Sequence, residues 1–232
     1  MIIWLVSYPK SGNTWVRFFL NHLLYSKDKD LDINNISINQ FPNRKHFLNI
    51  NTNINNTNDF VENCVSAQEY LNLDNKIKLF KTHHAFWKNG KYIFTNENNT
   101  LGCIYIVRDP RNIVTSLKNH YFFSNYSKAV EFMKNEKQII GIKNTKKEED
   151  VPHIISSWKN HYNSWKKFKK NYLLIKYENL INNRNEEFFK ITKYLEKITN
   201  LKFTEDNILK AISNCNFENL KQKESMFGFS ET

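Results

Sequence analysis

The sequence predicts an α/β fold of three layers, with a central parallel β-sheet flanked by helices. Three observations predict it. The chain opens on the apolar run Ile2-Ile3-Trp4-Leu5-Val6, turns through a short loop containing Gly12, and continues into a helix-like stretch at 16–24. Further short apolar runs at 76–80, 102–107 and 172–176 stand apart from one another, with longer helix-like stretches among them. Strands separated by helices argue for a parallel sheet covered on its faces. The residues able to do chemistry (Lys10, His83, Arg108 and Tyr177) all follow directly on those runs, at the strand ends where such sheets bind ligands.

Composition sets the bounds. A chain of 232 residues that is 40% hydrophobic and 15% aromatic is long enough to bury a proper core. With no internal repeat and no dividing linker, residues 1–232 are read as a single domain. No apolar run reaches the roughly 18 residues of a membrane span, and the opening run is too short for a signal peptide. Cys64, Cys103 and Cys215 are too few and too scattered for a disulfide framework, which points to a reducing cytoplasm. The net charge of +11 accompanies heavy use of Lys, Asn and Ile throughout. No basic stripe with interleaved aromatics marks a nucleic-acid surface. The cluster Lys166-Lys167-Phe168-Lys169-Lys170 falls at an expected helix end, where cations are favoured.

Taken in order, the first strand leads into Ser7-Tyr8-Pro9-Lys10-Ser11-Gly12-Asn13-Thr14-Trp15. A strand, a Gly loop and a helix N-terminus together bind phosphate, because the first turn offers free N–H donors and a partial positive charge. Lys10 adds a full charge, Ser11, Asn13 and Thr14 add donors, and Gly12 allows close approach. The loop is P-loop-like without being the nucleotide-triphosphate motif, since Lys10 precedes the Gly instead of following it. The Asn-rich span 28–58 shows weak periodicity and no strand. Next comes a strand over 76–80 ending in Lys81-Thr82-His83-His84. The strand at 102–107 ends in Arg108-Asp109-Pro110-Arg111-Asn112, and Pro110 suits the first turn of a following helix. Residues 141–150 read as an exposed loop. A helix is expected over 154–165, with Ile154, Trp158, His161 or Tyr162, and Trp165 on one buried face. The last strand runs into Tyr177-Glu178-Asn179-Leu180, and Cys215-Asn216-Phe217-Glu218-Asn219-Leu220-Lys221 lies near the end.

Together, P-K-S-G-x-T-W, K-T-H, Y-I-V-R-D-P-R-N-I-V-x-S, Y-E-N-L and the segment around Phe217 resemble the sulfotransferases that use 3′-phosphoadenosine 5′-phosphosulfate (PAPS). The resemblance spans nearly the whole chain. It implies that Lys10, Ser11, Gly12, Asn13 and Thr14 hold the 5′-phosphosulfate and that Arg108 and Ser116 hold the 3′-phosphate. It places the adenine among Trp15, Tyr177 and Phe217. His83 becomes the general base, and Lys81 assists Lys10 at the sulfuryl group. Adjacent side chains diverge on a strand, so His84 is expected as a neutral imidazole supporting the base from behind. No metal is implied, and the acceptor is a hydroxyl of a small molecule or glycan, with an amine as second choice. Family members continue into an R-K-G-x-x-G-D-W-K-N segment, whereas this sequence ends at Gly228-Phe229-Ser230-Glu231-Thr232. Either the sequence is truncated or other basic residues serve in place of that segment. Two other readings stay open: a magnesium-dependent kinase on a similar loop, and a non-catalytic nucleotide-binding protein.

Overall fold

The computed structural model describes residues 1–25, 34–50, 57–141, 151–216, 218–220 and 225. Among the described residues there are eight strands: β1 (Ile2–Ser7), β2 (Lys78–Thr82), β3 (Lys88–Asn89), β4 (Tyr92–Ile93), β5 (Thr100–Val107), β6 (Ile139–Ile140), β7 (His153–Ile154) and β8 (Tyr172–Lys176). The helices are α1 (Asn13–Tyr25), α2 (Thr57–Asn72), α3 (Pro110–His120), α4 (Tyr126–Lys134), α5 (Trp158–Trp165), α6 (Tyr177–Asn182), α7 (Arg184–Ile198) and α8 (Glu205–Asn214). Four strands form the central sheet in the order β2-β1-β5-β8, all parallel. The chain thus leaves β1 on one side to make β2 and returns past it to make β5. That reversal puts a topological switch point at the carboxyl end of β1.

All six residues of β1 are buried, because both faces of the sheet are covered. Ile3 and Leu5 face one core with Phe19, Ile104, Ile175 and Phe188. Ile2, Trp4 and Val6 alternate into a second core with Phe41, Phe60, Phe80 and Trp165. A smaller cluster joins Tyr8 to Ile113 and Leu117 of α3, Met133 of α4 and Ile155.

Several boundaries differ from the sequence expectation. The helix after the loop begins at Asn13, three residues before 16, so Asn13, Thr14 and Trp15 form its first turn. β2 runs on to Thr82, which makes Lys81 a buried strand residue. The expected helix over 154–165 starts only at Trp158, because Ser157 caps it by accepting from the Asn160 N–H at 3.2 Å. Ile154 belongs instead to β7, paired with β6. Within the Asn-rich span, 44–46 and 48–50 are 3₁₀ turns. Its last residues, Thr57 and Asn58, open α2, a helix the sequence reading did not mark. The rest of that span, residues 28–33 and 51–56, and 142–150 of the expected loop lie outside the described residues.

Candidate active site

Parallel register brings the candidate residues together. Val6 pairs with Thr82, so His83 comes beside Ser7. Val107 pairs with Lys176, so Arg108 comes beside Tyr177. The loop after β1 lies between these two pairs.

The shape of that loop is set by its backbone and by one asparagine. Lys10 and Gly12 both take left-handed backbone, with φ of 64° and 92°. Asn13 Nδ2 donates to the Leu5 carbonyl at 3.2 Å and to Ser7 Oγ at 3.3 Å, tying the start of α1 back to β1. Ser11 is 1% exposed, yet its hydroxyl has no hydrogen-bond partner among the described residues. A buried, unpaired hydroxyl is costly, and a phosphate oxygen at the N-terminus of α1 would satisfy it. Thr14 lies half-buried in the same first turn. The residues present therefore fit a bound phosphate.

Beside the loop, Arg108 Nη1 donates to the Lys10 carbonyl at 2.9 Å. Its guanidinium carbon lies 4.4 Å from the centroid of the Tyr177 ring. Glu178 fastens this corner by accepting from the Asp109 N–H at 2.9 Å. Tyr177 packs closely against Gly12: a Cβ there would fall 2.6 Å from Tyr177 Cε2. Ser116 lies half-buried on α3, the helix that Asp109 caps through the Arg111 N–H. Trp15 stands edge-on to Tyr177 at 6.4 Å and donates from Nε1 to the Cys215 carbonyl at 2.6 Å. Trp15 and Tyr177 form one wall of a cavity of about 880 Å³ that runs out along Ile181 to Glu186. Phe217 lies outside the described residues.

On the other side of the loop, His83 is half-buried. Its Nδ1 is 2.8 Å from the Ser7 carbonyl and 3.4 Å from Ser7 Oγ. A carbonyl only accepts, so Nδ1 carries the proton and Nε2 presents a lone pair. Burial, followed by the positive charge of Lys81, holds the imidazole well below its ordinary pKa, so it is neutral. His161 donates from Nε2 to the His83 carbonyl at 3.1 Å and accepts the Tyr105 hydroxyl at Nδ1, 2.7 Å away. The sequence reading assigned His161 to the core. It is indeed fully buried, but it also braces the backbone of the candidate base.

His84 turns the other way. Its Nδ1 accepts from the Ile154 N–H at 3.1 Å and from Trp87 Nε1 at 3.3 Å. Its ring stacks on Phe60, Phe94 and His153. Among the described residues, no group of three His, Cys, Asp or Glu side chains is placed to hold a metal ion.

The sulfotransferase-domain family matches residues 2–229. The chain belongs to that family. A curated relative, the amine sulfotransferase of Oryctolagus cuniculus, is 23% identical over 221 residues, covering 94% of this chain and 62% of the relative. The crystal structure of mouse sulfotransferase SULT7A1 complexed with PAP is 20% identical with a TM-score of 0.57, covering 95% of this chain and 65% of that one. Retinol dehydratase in complex with androsterone and inactive cofactor PAP is 16% identical with a TM-score of 0.61, covering 97% and 66%. The chain thus spans less than two thirds of the length of each, and the two structural likenesses bear on the fold. The P-loop-like α/β architecture expected from the sequence is the one these sulfotransferases share.

Proposed function

We propose that the chain transfers the sulfuryl group of PAPS to a hydroxyl of a small molecule. The observation that carries this is the tautomer of His83. The Ser7 carbonyl holds its Nδ1 proton, and the lone pair on Nε2 is left for an acceptor at the rim of a phosphate-type loop. Ser11, Gly12, Asn13 and Thr14 hold the 5′-phosphate and Lys10 the adjoining sulfuryl oxygens. Arg108 and Ser116 hold the 3′-phosphate, and Trp15, Tyr177 and Phe217 the adenine.

In the transfer, His83 Nε2 takes the proton of the acceptor hydroxyl while its oxygen bonds to sulfur. The bond from sulfur to the bridging phosphate oxygen breaks. Lys10, Lys81 and the loop N–H donors stabilise the charge gathering on that oxygen. Adenosine 3′,5′-bisphosphate (PAP), the desulfated nucleotide, then leaves. Relatives and neighbours named for amines, retinol and androsterone support a small acceptor, with an amine as the second choice and a glycan hydroxyl as the broader one. A single domain and a cytoplasmic location belong to the same proposal; three buried free thiols among the described residues support the location.

Calorimetric titration with PAP, 5′-AMP and Mg·ATP tests the reading. PAP should bind most tightly, and Arg108→Ala should remove its advantage over 5′-AMP. A preference for Mg·ATP would make the protein a kinase. A folded protein that binds none of the three would be a non-catalytic relative.

A further inference from the structure

Arg108 makes a contact that a 3′-phosphate receptor does not need. Its Nη1 donates to the carbonyl of Lys10, 98 residues away in sequence, at 2.9 Å. Lys10 is the one cation of the loop and holds φ at 64°, a backbone region that side chains other than Gly adopt at a cost. Some neighbour must hold it there.

Arg108 is also one face of a stack. Its guanidinium lies over the Tyr177 ring at 4.4 Å, and the same ring lies against Gly12, where a Cβ would be 2.6 Å from Cε2. Gly12 itself has φ of 92°. The two left-handed residues of the loop are thus braced by the same side chain, Lys10 directly and Gly12 through the Tyr177 plate. A guanidinium has five N–H donors in a planar fork. One N–H bond to the Lys10 carbonyl leaves four, and the plane that stacks on Tyr177 keeps their directions set.

We propose that Arg108 acts on both halves of the site: it receives the 3′-phosphate and is also the positioning residue that holds Lys10 and Gly12 in the shape that handles the 5′ end. The first half rests on the function proposed above. The second rests on the ligand-free geometry alone. The consequence is that losing Arg108 weakens even ligands that have no 3′-phosphate.

The test compares wild type with Arg108→Lys, which keeps the charge but can neither stack as a plane nor fork. Two measurements are made: calorimetric affinity for 5′-AMP and PAP, and hydrogen exchange of the ligand-free protein over residues 9–14. Arg108→Lys should weaken 5′-AMP by roughly fivefold, the worth of one ordinary hydrogen bond, besides weakening PAP. Exchange over 9–14 should quicken by about tenfold while α3 keeps its protection. If either 5′-AMP affinity or loop exchange stays at the wild-type value, Arg108 serves the 3′-phosphate only and the proposal is wrong. Should Arg108→Lys fail to fold, Tyr177→Leu removes the plate and leaves Arg108 in place. Its loop exchange must quicken likewise, and an unchanged rate overturns the brace. A wild type that does not prefer PAP over 5′-AMP would sink the 3′-phosphate reading instead, and the exchange result would still judge the brace.

Discussion

His83 Nδ1 donates its proton to the Ser7 carbonyl 2.8 Å away, and from this the chemistry of Nε2 follows. Replacing His83 by Gln should lower kcat by roughly 10²–10⁴, the usual worth of a general base, with PAP affinity held within about twofold because no loop donor is touched. An unaltered kcat would move the base elsewhere. The pH profile tests the same atom independently. Burial and Lys81 hold the imidazole below its ordinary value, so the base is already neutral at pH 7. The rate should stay flat from alkaline pH down past 6.5 and fall only further into acid, where the folded imidazole finally protonates. A kcat/KM inflection at pH 6.5 or above would mean that burial does not hold the imidazole down in the free enzyme.

At the scale of elements, His83 depends on α5, because His161 on that helix donates to the His83 carbonyl at 3.1 Å. α5 has eight residues, and Ser157 caps it. A helix this short has little stability of its own. Ser157→Ala should therefore cost about 1 kcal/mol, read as a lower urea midpoint at unchanged slope, and Ser157→Asp should restore it. An unshifted midpoint for the Ala variant would show that packing of Trp165, not the cap, holds the helix.

This dependence also marks what the sequence can and cannot tell. The strands at Ile2, Gly102 and Tyr172 were legible because continuous apolar runs mean burial on both faces. The loop at Lys10 was legible as a turn between strand and helix because Gly12 breaks the apolar pattern on either side of it. α2 was missed, although Phe60, Val61, Cys64, Ala67 and Gln68 make a buried stripe. Asn and polar residues surround that stripe, and it shows only when helical spacing is counted through them. The roles of His161 and Arg108 toward residues 78 and 98 positions away come from helix packing and strand register, which local sequence does not contain. Ile154 was placed on a helix face for the same reason: its pairing with Ile139 across the β6–β7 hairpin outweighs its periodicity.

The whole molecule carries a consequence of packing histidines around this sheet end. His46 is held down to about 4, and His153 and His161 to about 3, chiefly by burial of the imidazole in each. Their neutral forms are fixed by partners: His46 Nδ1 accepts the Asn43 N–H, and His161 accepts Tyr105. The folded values lie below the unfolded value of about 6.5. Above pH 6.5 both states are neutral and stability is whole. As pH falls from 6.5 toward the folded values, the unfolded chain binds protons that the native one refuses, and stability drops. His83 and His84 are held down in the same way, so at pH 5.5 each of the five imidazoles costs about 1 kcal/mol and together they cost several kcal/mol. That is a large share of the 5–15 kcal/mol that holds a typical domain. Urea unfolding at pH 7.5 and pH 5.5 should show this loss with an unchanged slope. His161→Gln, which keeps a side-chain donor but cannot titrate, should be less stable at pH 7.5. Its own loss between the two pH values should nevertheless be smaller than that of the wild type by about 1 kcal/mol. An equal loss in both proteins would mean that His161 takes up its proton without unfolding, and that its place between Tyr105 and the His83 carbonyl tolerates a charge.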